Sequence, residues 1–281
     1  MDALAETLDT EEAATALVAE PDGRWAVELT FSHAPDADAV RDLVAQVAGA
    51  GLAHAVTFST IRERDWVKAS LAGLQPVTAG RFVIHGRHDR DRIGPNRMAI
   101  EVEAALAFGT GHHATTRGCL IALDALVKQS KRPRSTLDIG TGTGVLAIAA
   151  AKVLRTPVLA SDIDFTAVKT ARENARLNAA AALIDVVQGA GLTAPRIRAR
   201  APYDLVLANI LLAPLKQLAA SMARVVRPGA RVVLSGLLTR QANAAIAAYR
   251  AHGLALERRI ELDGWTTLVL VRPAWRGLSA R

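Results

Sequence analysis

The sequence predicts an α/β protein: an open, doubly wound sheet of seven strands, preceded by a smaller α/β module. Three observations lead there. A short apolar run ends in alternating glycines, Leu137-Asp-Ile-Gly-Thr-Gly-Thr-Gly-Val145, and an alanine-rich helical segment follows. A second apolar run, 158–160, ends in acid at Ser161-Asp-Ile-Asp164. Beyond it, strand-like and helix-like segments alternate until two final apolar runs meet across Asp263-Gly264. Strand, tight turn, helix and strand form the first half of a nucleoside-binding sheet.

The elements follow in order. In the N-terminal part, 24–31 alternates like a strand, and 36–51 has helical spacing (Val40, Leu43, Val44, Val47) with a glycine stop. Segment 55–61 is strand-like, 65–71 suits a short helix, and 82–84 is another strand. Strand–helix–strand–helix–strand suggests a ferredoxin-like module. Residues 88–96, rich in Arg and Asp and closing on Gly94-Pro95, read as a polar linker. After the glycine turn come a helix (165–178), a strand (185–188), a basic loop, and the long apolar run 203–211. A helix (214–226), a turn at Arg227-Pro-Gly229, a strand (231–234), a helix (240–252) and an edge hairpin (256–262 with 266–271) complete the chain. The resulting division is an acidic lead at 1–23, a domain at 24–86, a linker at 87–97, and the nucleoside-binding domain at 98–281.

Composition narrows the function classes. The 281 residues are 51% hydrophobic and 22% charged, which describes a globular protein. No apolar run reaches eighteen residues, so no membrane span is expected. The acidic, alanine-rich start lacks a basic-then-apolar signal design, so a cytoplasmic location is expected. Cys119 is the sole cysteine, which excludes an internal disulfide and any multi-cysteine metal site. The net charge of +7 favours work close to nucleic acid or another polyanion. Aromatics are only 4% and do not interleave with the arginines, so a base-stacking platform is not indicated.

The glycine spacing selects the ligand. Gly140, Gly142 and Gly144 form G-x-G-x-G, with Val145 where a dinucleotide loop carries its third glycine. No Gly-Lys-Ser/Thr follows, so a phosphate-clamping loop is excluded. The turn resembles the first motif of S-adenosylmethionine-dependent methyltransferases, and Asp162 stands where a carboxylate would accept both ribose hydroxyls. Asp164 suits the cap of the next helix. Asn209 closes the fourth core strand at its carboxyl end, where ligands bind in such sheets. No prolines or aromatic adjoin it, unlike the N6-adenine enzymes. His112 and His113 are chain neighbours with no carboxylate nearby, so no metal is expected. Thr115 or Thr116 is expected to cap the helix that follows.

Three motifs occur together and in order: Phe108-Gly-Thr-Gly-His-His-Ala-Thr-Thr116, Leu137-Asp-Ile-Gly-Thr-Gly-Thr-Gly144 and Ala208-Asn-Ile-Leu-Leu-Ala-Pro-Leu215. With Ser235-Gly-Leu-Leu238 they resemble the PrmA family, over about residues 60–271. That resemblance implies a Rossmann-like class I methyltransferase domain behind a ferredoxin-like substrate-recognition domain. It implies S-adenosylmethionine as cofactor and a large-subunit ribosomal protein as partner, methylated on lysine or α-amino nitrogens. Donor contacts are implied at Phe108, Thr110, Thr116, Asp138, Gly140, Gly142, Gly144, Asp162, Ile163 and Asn209, and Asn209 is the implied catalytic residue. A lysine acceptor, with pKa about 10.4, must lose a proton first; no base stands out in the sequence. The alternatives are a lysine methyltransferase of another protein, such as the β subunit of electron-transfer flavoprotein, and an RNA methyltransferase.

Overall fold

The computed structural model describes residues 13–19, 25–31, 35–59, 76–102, 113–128 and 132–274. The chain divides into two compact units, 1–66 and 67–281.

In the first unit, β1 (Ala13–Ala19) pairs antiparallel with β2 (Trp25–Phe31). Helix α1 (Ala37–Ala48) begins at Asp36, whose carboxylate accepts from the amides of Asp38 and Ala39 at 3.0 and 3.3 Å. Gly49, at φ +90°, separates it from α2 (Ala50–His54). The order strand–strand–helix–helix departs from the expectation in two places. Part of the segment read as an acidic lead is β1, whose alanine-rich sequence carries little strand signal without its partner β2. Residues 55–59 form no strand; 60–61 and the expected helix at 65–71 lie outside the described residues.

The second unit opens with a three-stranded sheet. β3 (Val77–Ala79) turns through Gly80 into β4 (Phe82–His85), and β4 pairs in parallel with β5 (Met98–Glu101). The segment read as a linker therefore joins two neighbouring strands, and half of it is a 3-10 turn at Arg87–Arg92. The boundaries expected near 86 and 97 do not match the observed division. The physical reason is burial: Phe82, Ile84 and Ile100 sink into the same core as the large sheet's helices. Glu101 locks the junction. Its backbone exchanges hydrogen bonds with the Asn178 side chain at 2.9 and 2.6 Å, and its carboxylate takes a two-pronged bond from Arg90.

The large sheet has seven strands. After α3 (His113–Val127) come β6 (Thr136–Ile139), α4 (Val145–Leu154), β7 (Val158–Asp162), α5 (Phe165–Leu177) and β8 (Ile184–Gln188). Then follow α6 (Pro195–Arg200), β9 (Tyr203–Asn209), α7 (Leu212–Val225), β10 (Val226–Leu238), α8 (Ala242–Arg250), β11 (Ala255–Leu262) and β12 (Trp265–Val271). The spatial order is β11-β12-β10-β9-β6-β7-β8, with β6 parallel to both β7 and β9 and β12 antiparallel to its neighbours. The order in which successive strands are added reverses between β6 and β9, although the two run parallel, and crevices at such a switch point hold ligands.

Helices α3, α4 and α5 cover one face and α6, α7 and α8 the other. The middle strands are apolar on both sides, as parallel strands covered on both faces must be; Leu205, Val206 and Leu207 are all fully buried. Nine of the ten residues of α4 are buried, and its alanines let it lie close against the strands. Each fully buried Leu or Ile contributes about 1.5–3 kcal/mol. The expected basic loop at 196–200 is instead helix α6, started by Pro195 and anchored by buried Ile197. The turn expected at Arg227-Pro-Gly229 is absorbed into β10 as an irregularity in its register with β9. Asp263 and Gly264, both at positive φ, make the two-residue hairpin turn read from the sequence. No helix among the described residues is long and apolar enough to cross a membrane.

Candidate active site

The carboxyl ends of β6, β7, β9 and β10 converge on one cleft. At the end of β6 the chain passes through Gly140, Gly142 and Gly144 at φ +66°, +54° and +82°, a region that Cβ-bearing residues seldom adopt. The amides of Gly140 and Thr141 both donate to the carbonyl of Ser161 at 2.9 and 3.0 Å, tying the turn to β7. Gly144 then starts α4, whose first amides have no partner within the helix. A Cβ on Gly142 would meet nothing within 4 Å, so bare backbone faces open space there.

Asp138 lies beneath this turn, 1% exposed, rather than on its rim. Its Oδ2 accepts from the Thr141 hydroxyl at 2.6 Å and the Ala147 amide at 3.1 Å, bracing turn and helix together. Oδ1 is buried with no partner among the described residues. Burial pushes the carboxyl up to about 7, against the pull of those two hydrogen bonds.

Asp162 ends β7, half-buried, with its carboxylate held by backbone: Oδ2 accepts from the Gly142 amide at 2.8 Å and Oδ1 from the Asp164 amide at 3.1 Å. Each oxygen keeps a lone pair for a further donor. Asp164 caps α5 through a 2.8 Å bond from the Thr166 amide, as read from the sequence. Ile163 and Leu211, at the ends of β7 and β9, stay 70% and 66% exposed, large apolar side chains on the side of the sheet where ligands dock.

Asn209 ends β9, and its Nδ2 donates to the hydroxyls of Thr115 and Thr116 at 3.3 and 3.4 Å. Helix α3 begins at His113, so Thr115 and Thr116 stand inside its first turn and do not cap it, which corrects the expectation. Their hydroxyls serve the strand ends instead. Ser235, paired with Asn209 across β9 and β10, donates to the Thr115 carbonyl at 3.1 Å and shares a 2.8 Å bond with Thr267 of β12. Behind them Cys119 is fully buried, and burial pushes its thiol up to about 12, so no thiolate serves the cleft.

Residue 210 is wedged between two glycines. A Cβ on Gly140 would lie 2.3 Å from Ile210 Cγ2, and one on Gly236 would lie 2.4 Å from the Ile210 carbonyl oxygen. The structure thus brings together Gly140, Gly142, Gly144, Asp162, Asn209 and Thr116, and puts Ile163 beside Asp162. Phe108 and Thr110 lie outside the described residues. Sequence reasoning assigned no role to Thr267 or Gly236. Thr267 had no local signal, because its importance comes from a partner on a strand far away in the chain. Gly236 did: a glycine two residues before a strand's end marks a close backbone approach.

This sheet order and this cleft, with a glycine turn and a strand-end carboxylate but no phosphate-clamping loop, define a Rossmann-like methyltransferase of class I. Residues 4–273 match the model of the family described as ribosomal protein L11 methyltransferase (PrmA). The chain is 56% identical over 270 residues to the ribosomal protein L11 methyltransferase of Bradyrhizobium diazoefficiens, covering 96% of this chain and 91% of that one. It is likewise 56% identical over 271 residues to the Rhodopseudomonas palustris protein of the same name, covering 96% and 92%. Among solved structures, a ribosomal protein L11 methylase from Lactobacillus delbrueckii subsp. bulgaricus superposes with a TM-score of 0.64 at 25% identity, covering 72% of this chain and all of that one. The chain belongs to the PrmA family. It is an enzyme that takes methyl groups from S-adenosylmethionine.

Proposed function

We propose that this protein methylates amino nitrogens of ribosomal protein L11, and that the cleft described above is where it does so. The observation that carries the reading is the meeting, at the topological switch point, of the glycine turn, the Asp162 carboxylate and the Thr-framed Asn209.

The residues fit the donor. Bare backbone at Gly142 offers a surface no Cβ obstructs, and the amides at the start of α4 would hold the donor's carboxylate. Asp162 would accept from both ribose hydroxyls, its orientation fixed beforehand by two backbone amides. Ile163 would give the adenine an apolar flank. When bound, the donor supplies a sulfonium methyl that leaves readily, so the protein's task is alignment and exclusion of water. With Nδ2 of Asn209 committed to Thr115 and Thr116, its carbonyl oxygen remains to accept from the incoming amine and aim the nitrogen's lone pair. Burial beside a cation lowers an amine's pKa, which favours the neutral nucleophile. The net charge of +7 supports action beside ribosomal RNA.

Intact-mass measurement after incubation with S-adenosylmethionine and equal amounts of L11, the flavoprotein β subunit and ribosomal RNA tests the substrate. Methyl increments on L11 are expected. Increments confined to either competitor would sink the assignment.

Asp162→Ala is expected to weaken donor binding by about 1–3 kcal/mol, roughly 5- to 100-fold, because two ribose hydroxyls lose a charged acceptor. Calorimetry with S-adenosylmethionine checks this; unchanged affinity would leave Asp162 a purely structural brace. The first unit, residues 1–66, which overlaps the segment 24–86 read as a recognition domain, is proposed to grip the substrate protein. A chain beginning at residue 67 is then expected to bind donor and lose L11 methylation, and full activity without residues 1–66 would remove that role.

A further inference from the structure

We infer a second binding site, a cationic groove for the phosphate backbone of single-stranded RNA, at the opposite end of α4 from the glycine turn. The inference rests on charge and shape alone and stands independently of the methyl-transfer reading.

The groove, of about 1040 Å³, runs between the β3–β4 turn, the segment before β5 and the C-terminal ends of α3 and α4. Arg81, Arg97, Lys128 and Lys152 line it, with Asp124 as the single carboxylate among the described lining residues, an excess of three positive charges. Lys152 lies eight residues past Gly144, so at 1.5 Å rise the groove begins about 12 Å from the donor turn. It is a separate place.

The basic runs conspicuous in the sequence are largely spent elsewhere. Arg196 and Arg200 both bind Asp185 at 2.8 Å; Arg90 binds Glu101; Arg92 binds Asp89. In the groove only Arg81 and Lys128 are paired in this way, while Arg97 and Lys152 meet no carboxylate among the described residues. Arg81 and Lys128 share the one carboxylate of Asp124, which stays ionised because those two cations outweigh the effect of its burial. Arg97 donates to the Gly80 carbonyl at 2.9 Å and Lys152 to the Ala99 carbonyl at 2.7 Å. A carbonyl satisfies one donor of each and cancels no charge. Lys152 is the informative member. It is the only residue of α4 not fully buried, it is half withdrawn from water, and no carboxylate among the described residues meets it. Withdrawal from water works against its charged form. An anion in the groove would remove that penalty.

A phosphate backbone fits better than an acidic protein. No aromatic side chain lines this groove among the described residues, so neither the usual protein anchor nor a base-stacking platform is present, and charge along a backbone is what it can read. Separate cations along an open channel are what repeated phosphates bind, without regard to base identity.

The test is fluorescence anisotropy of labelled polyuridylate with the full chain, without donor, over a salt series. Saturable binding is expected. The exposed pair Arg97→Gln/Lys128→Gln should weaken it about tenfold or more, and reduce the salt slope by about 0.7 per lost contact. Lys152→Gln should weaken it as well. A control pair with the same charge change, Arg224→Gln/Arg258→Gln on exposed positions elsewhere, should stay within about twofold of the parent. Equal losses from both pairs would mean general basicity and overturn the site, as would absence of binding. Displacement of the RNA by polyglutamate at equal charge would overturn it in favour of an acidic protein partner. Melting temperature and donor affinity, both expected to be unchanged, show that each variant is folded.

Discussion

Gly236→Ala is expected to destabilise the protein by about 2–5 kcal/mol and to abolish methylation. Two costs combine. A non-glycine residue in the left-handed region costs about 1–2 kcal/mol, and Gly236 sits at φ +82°. The new methyl would also stand 2.4 Å from the carbonyl oxygen of Ile210 and 2.8 Å from its carbon, backbone atoms that cannot swing aside. Overpacking of this kind costs about 1–3 kcal/mol. Relief can come only by moving residue 210, which carries Asn209 off its threonine partners and presses on Gly140. Gly253, at φ +80° with nothing within 4 Å of an added Cβ, isolates the first cost. Gly253→Ala should lose only about 1–2 kcal/mol and keep activity. Equal losses in urea unfolding of the two variants would refute the close approach at residue 210.

The second large effect is one of pH. Asp138 is an acid whose value in the folded protein, about 7, lies above its ordinary 3.8 because it is buried. Between those values the native state holds a proton that the unfolded chain has released. Stability contributed by this group therefore falls as pH rises from about 4 to about 7 and is level above that. At about 1.36 kcal/mol per unit, the whole effect amounts to as much as about 4 kcal/mol. Asp138→Asn keeps an oxygen for Thr141 and Ala147 but carries no charge, so it should flatten that part of the stability curve. Glu101 and Asp124 act in the opposite sense. The Arg90 hydrogen bonds hold Glu101 low, and Arg81 with Lys128 overcomes burial at Asp124, so their contributions fade below about pH 4.5 and 3.8. Subtracting the variant's curve from the parent's removes both. A difference curve without slope between pH 4 and 7 would mean that Asp138 stays ionised in the fold.

Much of the large sheet was legible because its signals are local. The glycine turn at 140–144, the apolar strands on both sides of it and the Asp-Gly turn at 263–264 each depend on a few adjacent residues. The glycine-turn half of the cleft shares that property: turn, helix start and Asp162 lie within some twenty positions. What escaped is long-range. Strand β1 declares itself only when laid beside β2. The supposed linker is the connection between two paired strands, recognisable only through the burial of Ile84 against Ile100's layer. Arg196 and Arg200 look like free surface charge until Asp185 is found between them. Thr267 matters because its hydroxyl bonds Ser235 and because Gly118 leaves it room, an added Cβ there lying 2.1 Å from that hydroxyl oxygen, and nothing in its own neighbourhood announces that.

The shared bond between Ser235 and Thr267 has a consequence for how the enzyme comes into being. The second of these residues is almost the last part of the ordered sheet to be synthesised, and it slots between strands made earlier. The frame around the amide at position 209 is therefore complete only once the terminal hairpin has been added to the sheet.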